Sequence, residues 1–396
     1  MDLDGSRTAA TTGAASMSEE PSVRDLLFQA ARQLGSASEA RWVVEHAMAQ
    51  AGAGGHVGSP GAGGHVGSPG AGSPADSAGA GGHVGSYGEP GRHQTARQLS
   101  SAGSRSAANA VVMARRHQTV PYAVVDAVHD IVERRLAGEP LQYLLGAWPF
   151  RRLELTVDHR VLIPRPETEV VVGHALDELE RAVAEGGDPW PAARGPGRAW
   201  RTDQPGQGAG GGVLAVDLGT GSGAIALSLA VEGPGLLGGR TLAVWGVDDS
   251  PDALAVAQRN LVATRETYPA MADVELVEGD WFEALPRSLL GAVTLVVANP
   301  PYVSEAEWAT LDPEVREHEP RRALVGGPEG GEAIARIVQV ASRWLAPWGV
   351  LVIEVAPHQA DDVALQALVH GFDGVLVRPD LAGRSRAVVA RRWGAR

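Results

Sequence analysis

Hydrophobic and polar positions change period along the chain, and each change marks an element border. Near the start the apolar residues recur at helical spacing. One such stretch covers about 23–34, and a second, "SEARWVVEHAMAQ", opens with Ser38 as its expected N-cap. Helical spacing returns in "PYAVVDAVHDIVERRLAGEP", where Pro121 suits a helix start and Gly138 a stop. "FRRLELTVDHRVLIP" alternates instead, and a turn at Asp158 and His159 makes it a β-hairpin. A further helix is expected over 167–184. From Gly212 onward the apolar runs "VLAVDLG", "TLAVWGVD", "DVELVEG", "AVTLVVAN" and "GVLVIEVA" alternate with helical stretches such as "SPDALAVAQRNLVA". Buried strands joined by helices specify a parallel sheet covered on both faces. The tail "GVLVRPDLAGRSRAVVARRW" adds two strands around a turn, a terminal hairpin.

Composition alters this picture in the gaps between the patterned segments. "GAGGHVGSP" stands at 52–60 and again at 61–69, and returns as "GAGGHVGSY" at 79–87. Such a segment lacks the apolar side chains that would offset the entropy of ordering it, so 51–118 reads as a Gly-rich insertion. Its His56, His65 and His83 lack carboxylate or thiolate neighbours and make a weak metal site. The stretch 185–212 is a second flexible linker, and residues 1–16 are an unstructured extension ahead of Met17. Across 396 residues, 44% are hydrophobic, enough for a large core, and the net charge of −13 disfavours non-specific phosphate binding. Without cysteine there are no disulfides or thiolate metal sites. The start of the chain shows neither a basic leader nor an apolar core, and no run reaches the length of a membrane span.

In parallel α/β sheets ligands sit beyond the carboxyl ends of the strands. After the first strand comes "DLGTGSGAIALSLA", where Gly219, Gly221 and Gly223 permit a tight turn close to a ligand, with a helix behind them. This loop alone also fits a dinucleotide site. The second strand ends in Asp248 and Asp249. An acidic residue there accepts hydrogen bonds from a ribose diol, or Asp248 only caps the helix near Ser250, a task open to Asp249 or Ser250 as well. In "EGDWFEAL", Asp280 suits an adenine amino group and Trp281 or Phe282 a base, with core packing as the equal alternative. The fourth strand ends in "NPPY". Pro300 forces Asn299 toward extended geometry, and Pro301 does the same to Pro300. Asn299 Oδ1 and the Pro300 carbonyl become neighbouring acceptors for both hydrogens of a planar –NH₂ group, against which Tyr302 packs. The corner is a clamp for an amino or amide nitrogen.

Together these residues resemble the S-adenosylmethionine-dependent methyltransferases of planar amino groups, and more closely the release factor glutamine methyltransferase family. The likeness runs through "EARWVVEHA", "RRLAGEPLQYLLG", "VLIPRPETE", "DLGTGSGAIALSLA", "VDDSPDALAVAQRN", "GDWFEAL", "NPPYV", "EHEPRRALVGGPEGG" and "DLAGRSR". "NPPY" is shared with methyltransferases of nucleic-acid bases, whereas "IPRPETE" and the helical domain narrow the choice. The resemblance implies a Rossmann-like seven-stranded methyltransferase sheet over 166–396. Ahead of it stand a small N-terminal helical substrate-docking domain over 17–145 and a β-hairpin linker over 146–165. It implies S-adenosylmethionine contacts at Gly219, Thr220, Gly221, Ser222, Gly223, Asp248, Trp281 and Asn299. It implies that Asn299, Pro300, Pro301 and Tyr302 hold the target glutamine, with Asn299, Pro300 and Tyr302 catalytic and 164–168 lining the same cleft. Ser385 departs from the acidic residue expected there, and the Gly-rich insertion interrupts the docking domain.

The implied partner is a class I peptide chain release factor, met by a cytoplasmic monomer that needs no metal, nucleic acid or membrane. An adenine or guanine amino-group methyltransferase would share the clamp but calls for a basic or aromatic surface, against the acidic balance. A nicotinamide-dependent oxidoreductase explains the glycine loop and leaves "NPPY" idle. A binding module without catalysis has no use for an intact clamp.

Overall fold

The computed structural model describes residues 20–53, 115–185 and 212–393. The extension 1–16, the His-bearing repeats and all but the ends of 185–212 lie outside the described residues. The described chain divides into two compact units, one of 20–53 with 115–133, the other from 134 onward.

In the first unit, α1 (Val23–Leu34) starts at a capping box: Ser22 Oγ accepts from Asp25 N at 3.2 Å and the Asp25 carboxylate accepts from Ser22 N. Gly35, at φ +68, ends it. The next helix, α2 (Ala37–Ala53), is capped by Ser36, which accepts from Glu39 N at 3.2 Å. The expected cap, Ser38, is therefore inside the helix, because the left-handed turn at Gly35 re-enters helical geometry two residues sooner than the apolar pattern shows. Val120 N donates to Pro21 O and Val23 N to Gln118 O, so 115–120 is tied to the start of α1. α3 (Tyr122–Leu136) runs between the expected Pro121 and Gly138 and carries the chain out of this unit.

The second unit opens with a hairpin of β1 (Ala147–Phe150) and β2 (Leu153–Thr156). Its turn is Arg151 and Arg152, not Asp158 and His159. Arg151 adopts φ +51, a strained value, but its guanidinium is held bidentate by Glu232 at 2.6 and 2.8 Å and donates to Glu169 O at 2.7 Å. Beyond Thr156 the backbone finds partners outside any ladder. Tyr143 Oη donates to Val161 O at 2.6 Å, and Ile163 N donates to the Glu319 carboxylate at 3.2 Å. The apolar "VLIP" is thus pinned by side chains instead of paired as a strand.

α4 (Pro166–Glu185) leads to the sheet. The strands are β3 (Val213–Leu218), β4 (Leu242–Asp248), β5 (Asp273–Glu278), β6 (Val293–Ala298), β9 (Leu345–Glu354), β10 (Gly374–Pro379) and β11 (Ser385–Arg391), and they lie in the order β10-β11-β9-β6-β3-β4-β5. Pairs among the first five are parallel, and β11 runs antiparallel to both neighbours, as the terminal hairpin requires. A short side pair, β7 (Val303–Ser304) with β8 (Val325–Gly327), follows the "NPPY" corner. The helices α5 (Ala224–Glu232), α6 (Pro251–Thr267), α7 (Glu332–Trp344) and α8 (Ala360–Val369) cover the sheet. One apolar layer holds Leu176, Leu179, Leu227 and Val297, the other Val296, Ile334, Ile337 and Trp344. Each such side chain contributes about 1.5 to 3 kcal/mol by leaving water. The chain order reverses at β3, with β4 on one side and β6 on the other, and a crevice opens beyond the ends of these three strands.

Candidate active site

A cavity of about 500 Å³ occupies that crevice. Of the residues expected from the sequence, Gly219, Thr220, Gly221, Ser222, Asp248, Trp281, Asn299 and Pro301 line it, as do Pro164 and Thr168. Gly223, Pro300 and Tyr302 stand outside the lining: Gly223 begins α5, Pro300 is buried and Tyr302 is half-buried.

The glycine loop is built from its backbone outward. Gly219 N and Thr220 N both donate to Val247 O at 2.9 Å, which closes the loop onto the end of β4. Gly219 has φ +75, and a Cβ on it would lie 3.3 Å from the Trp281 ring, so any other residue would strain the turn and press the ring back by a few tenths of an ångström. Trp281 itself takes φ +46 and faces the cavity, while Phe282 stacks on Trp344 at 5.5 Å between centroids. Of the two, Trp281 borders both the cavity and the apolar core, and Phe282 belongs to the core alone. Asp280 also lines the cavity, in a 2.6 Å ion pair with Arg336.

Asp248 accepts from Gly221 N at 2.8 Å through Oδ2 and from Ser250 N at 2.9 Å through Oδ1. The cap of α6 is Ser250, whose Oγ accepts from Ala253 N. The side-chain cap is thus Ser250 and not Asp248. A carboxylate has about four lone-pair sites, so each oxygen keeps one for a ligand hydroxyl. Burial pushes this carboxyl above its ordinary value.

Two buried acids were not singled out from the sequence, although each interrupts an apolar strand. Asp217, fully buried in β3, accepts from Thr220 Oγ1 at 2.6 Å and Ala226 N at 3.0 Å and staples the loop to α5. Glu354, at the end of β9, accepts from Thr168 Oγ1 at 2.8 Å, and Thr168 Oγ1 accepts from Asn299 Nδ2 at 3.2 Å. Asn299 Oδ1 takes no hydrogen bond among the described residues.

Burial raises the Asp217 carboxyl from 3.8 to about 7, opposed by the bonds from Thr220 and Ala226 and reinforced by the Asp248 charge. Between those values the folded chain binds more protons than the unfolded one. The contribution of this group therefore favours folding at low pH and is lost as pH rises through the window. Asp217→Asn removes that titration and keeps an acceptor for Thr220 and Ala226. The wild type is expected to lose stability relative to this variant as pH is raised from about 4 to about 7. Thermal unfolding of both proteins across the window checks it, and a constant difference in Tm sinks the assignment.

Comparison with known proteins finds matches at the level of the family. The model of the PrmC N-terminal domain matches residues 106–146. The release factor glutamine methyltransferase of Streptomyces coelicolor is 39% identical over 276 residues, spanning 69% of this chain and 84% of that protein. Its namesake in Gloeobacter violaceus is 39% identical over 255 residues, 64% of this chain and 75% of the relative. Among solved structures, a methyltransferase from Pyrococcus furiosus covers 47% of this chain and 77% of its own, at 18% identity and a TM-score of 0.33, and no functional weight rests on it.

Proposed function

Because the chain belongs to the release factor glutamine methyltransferase family, we propose that its cleft methylates the side-chain amide nitrogen of a glutamine in class I peptide chain release factors. The methyl donor is S-adenosylmethionine. The observation that carries the reading is Asn299: it stands at the rim of the cavity with Nδ2 engaged by Thr168 and Oδ1 left to accept.

The residues present fit the donor. The volume is within the range of small-molecule sites, and at Gly219 a Cβ would crowd the Trp281 ring. Gly219, Thr220, Gly221 and Ser222 hold the donor along the loop, Asp248 takes its ribose hydroxyls and Trp281 covers its base. When bound, S-adenosylmethionine supplies an electrophilic methyl group.

Everything else is done by the chain. An amide nitrogen is a poor nucleophile because its lone pair is delocalised into the carbonyl. Asn299 Oδ1 and the Pro300 carbonyl accept from its two hydrogens, push electron density onto nitrogen and fix the direction of attack. Pro301 keeps the corner stiff, and Tyr302 packs on the amide plane. Alkylation makes the nitrogen acidic enough for water to take the proton, so no dedicated base is needed. The helical unit docks the release factor, and the protein acts as a cytoplasmic monomer. Among the described residues no helix is long and apolar enough to cross a membrane.

The test is an incubation of the protein with labelled S-adenosylmethionine and a class I release factor, beside DNA and RNA. Label is expected on the release factor and lost when its target glutamine is replaced. Label on nucleic acid alone overturns the reading. Asp248→Ala should weaken S-adenosylmethionine binding by about 1 to 3 kcal/mol, through loss of a charge-assisted acceptor and of the anchor at Gly221. Unchanged affinity by calorimetry in the folded variant would contradict the role of Asp248.

A further inference from the structure

Glu354 is only 1% exposed, yet the transfer chemistry gives it no task. It is the last residue of β9, beside β6, the strand that leads into Asn299: Ile353 pairs with Ala298 across the ladder. Thr168, also buried, reaches it from the first turn of α4 over a sequence separation of 186 residues. One carboxylate is thus linked through Thr168 to Asn299, the accepting side chain of the clamp.

The direction of the protons follows from the inventory of donors. An ionised carboxylate only accepts, and a threonine hydroxyl has one proton to give. Thr168 gives that proton to Glu354, so its oxygen faces Asn299 as an acceptor. Only the Nδ2 edge of the Asn299 amide can satisfy it. A flipped amide would set Oδ1 against an oxygen whose proton is already committed, and a buried unmade hydrogen bond is costly. The amide is therefore locked with Oδ1 presented on its other edge.

We infer that Glu354, acting through Thr168, is the positioning residue that sets the orientation of Asn299 in the substrate clamp. The inference rests on the proposed glutamine methylation and assigns the source of its geometry. Burial raises the Glu354 carboxyl to about 7, opposed by Thr168, the Arg386 guanidinium and Tyr302, with the Glu167 charge adding to the rise. In mildly alkaline buffer the carboxylate is ionised and the relay runs in the stated direction.

Three variants test it: Thr168→Val, Glu354→Leu and Thr168→Ser, each first confirmed as folded by circular dichroism. In mildly alkaline buffer, Thr168→Val and Glu354→Leu, which remove the donor and the acceptor of the relay, should lower kcat by about 10- to 100-fold, less than the loss of the clamp acceptor itself. Affinity for S-adenosylmethionine should fall much less than kcat, because the glycine loop, Asp248 and Trp281 are untouched. Thr168→Ser restores the hydroxyl and should recover most of kcat. A readout free of substrate accompanies these: exchange of the Asn299 side-chain amide protons in asparagine-labelled protein. One Nδ2 proton should be protected in the wild type and in Thr168→Ser, and exposed to exchange in Thr168→Val and Glu354→Leu. Wild-type kcat in Thr168→Val and Glu354→Leu, or unchanged protection, overturns the inference. So does a Thr168→Ser protein as slow as Thr168→Val, which would make Thr168 a packing residue. If the wild type fails to methylate release factor while exchange follows the expected pattern, the glutamine reading falls and the positioning role stands.

Discussion

Asn299→Ala is expected to slow methyl transfer to release factor by about two orders of magnitude or more, the usual consequence of deleting one preorganised hydrogen-bonding group. The side chain stands at the cavity rim, with one edge fixed by Thr168 and the other open to the target amide. β6, Pro300 and Pro301 stay in place, so the loss is of an acceptor and not of the fold. S-adenosylmethionine binding should suffer less, since the glycine loop and Asp248 are anchored to β4 independently. Asn299→Asp separates two causes: partial activity means that an acceptor suffices, and almost none means that the neutral amide is required. Single-turnover rates with release factor, beside calorimetry with S-adenosylmethionine, check the split. A wild-type rate in Asn299→Ala would reduce "NPPY" to a turn.

Gly326→Ala should damage both stability and activity, although Gly326 makes no chemical contribution. A Cβ at this position would lie 2.3 Å from Pro301 O and 2.6 Å from Gly330 O. Both obstacles are backbone and neither can retreat cheaply. Pro301 is part of the stiff corner, and Gln359 Nε2 holds the neighbouring Tyr302 O at 3.0 Å. Overpacking of this kind costs about 1 to 3 kcal/mol or more. In a chain of this size each kcal/mol lowers Tm by roughly 2 to 4 °C. Any relief must move Pro301, so turnover should fall with stability. Gly331→Ala is the control, because nothing stands within 4 Å of a Cβ there. Equal Tm values for the two variants would show that the corner yields freely.

The sequence alone determined most of the element types, the parallel sheet with its terminal hairpin and the position of the glycine loop. These depend on local rules: apolar spacing separates helix from strand, glycine permits φ +75 at Gly219, and consecutive prolines stiffen the chain after Asn299. Side-chain partners far apart in sequence decided the rest. The hairpin turns at Arg151 because Glu232, 81 residues away, receives its guanidinium, and "VLIP" is no strand because Tyr143 and Glu319 take its backbone groups. Asp217 and Glu354 look like interruptions of apolar strands until the fold brings Thr220 and Thr168 against them. Gly326 is one glycine among many in the sequence, and only the folded chain sets it against the Pro301 carbonyl. Periodicity and backbone stereochemistry act over a few residues and can be read along the chain. The partner of a buried polar group, and the space left beside a backbone, exist only once distant segments meet.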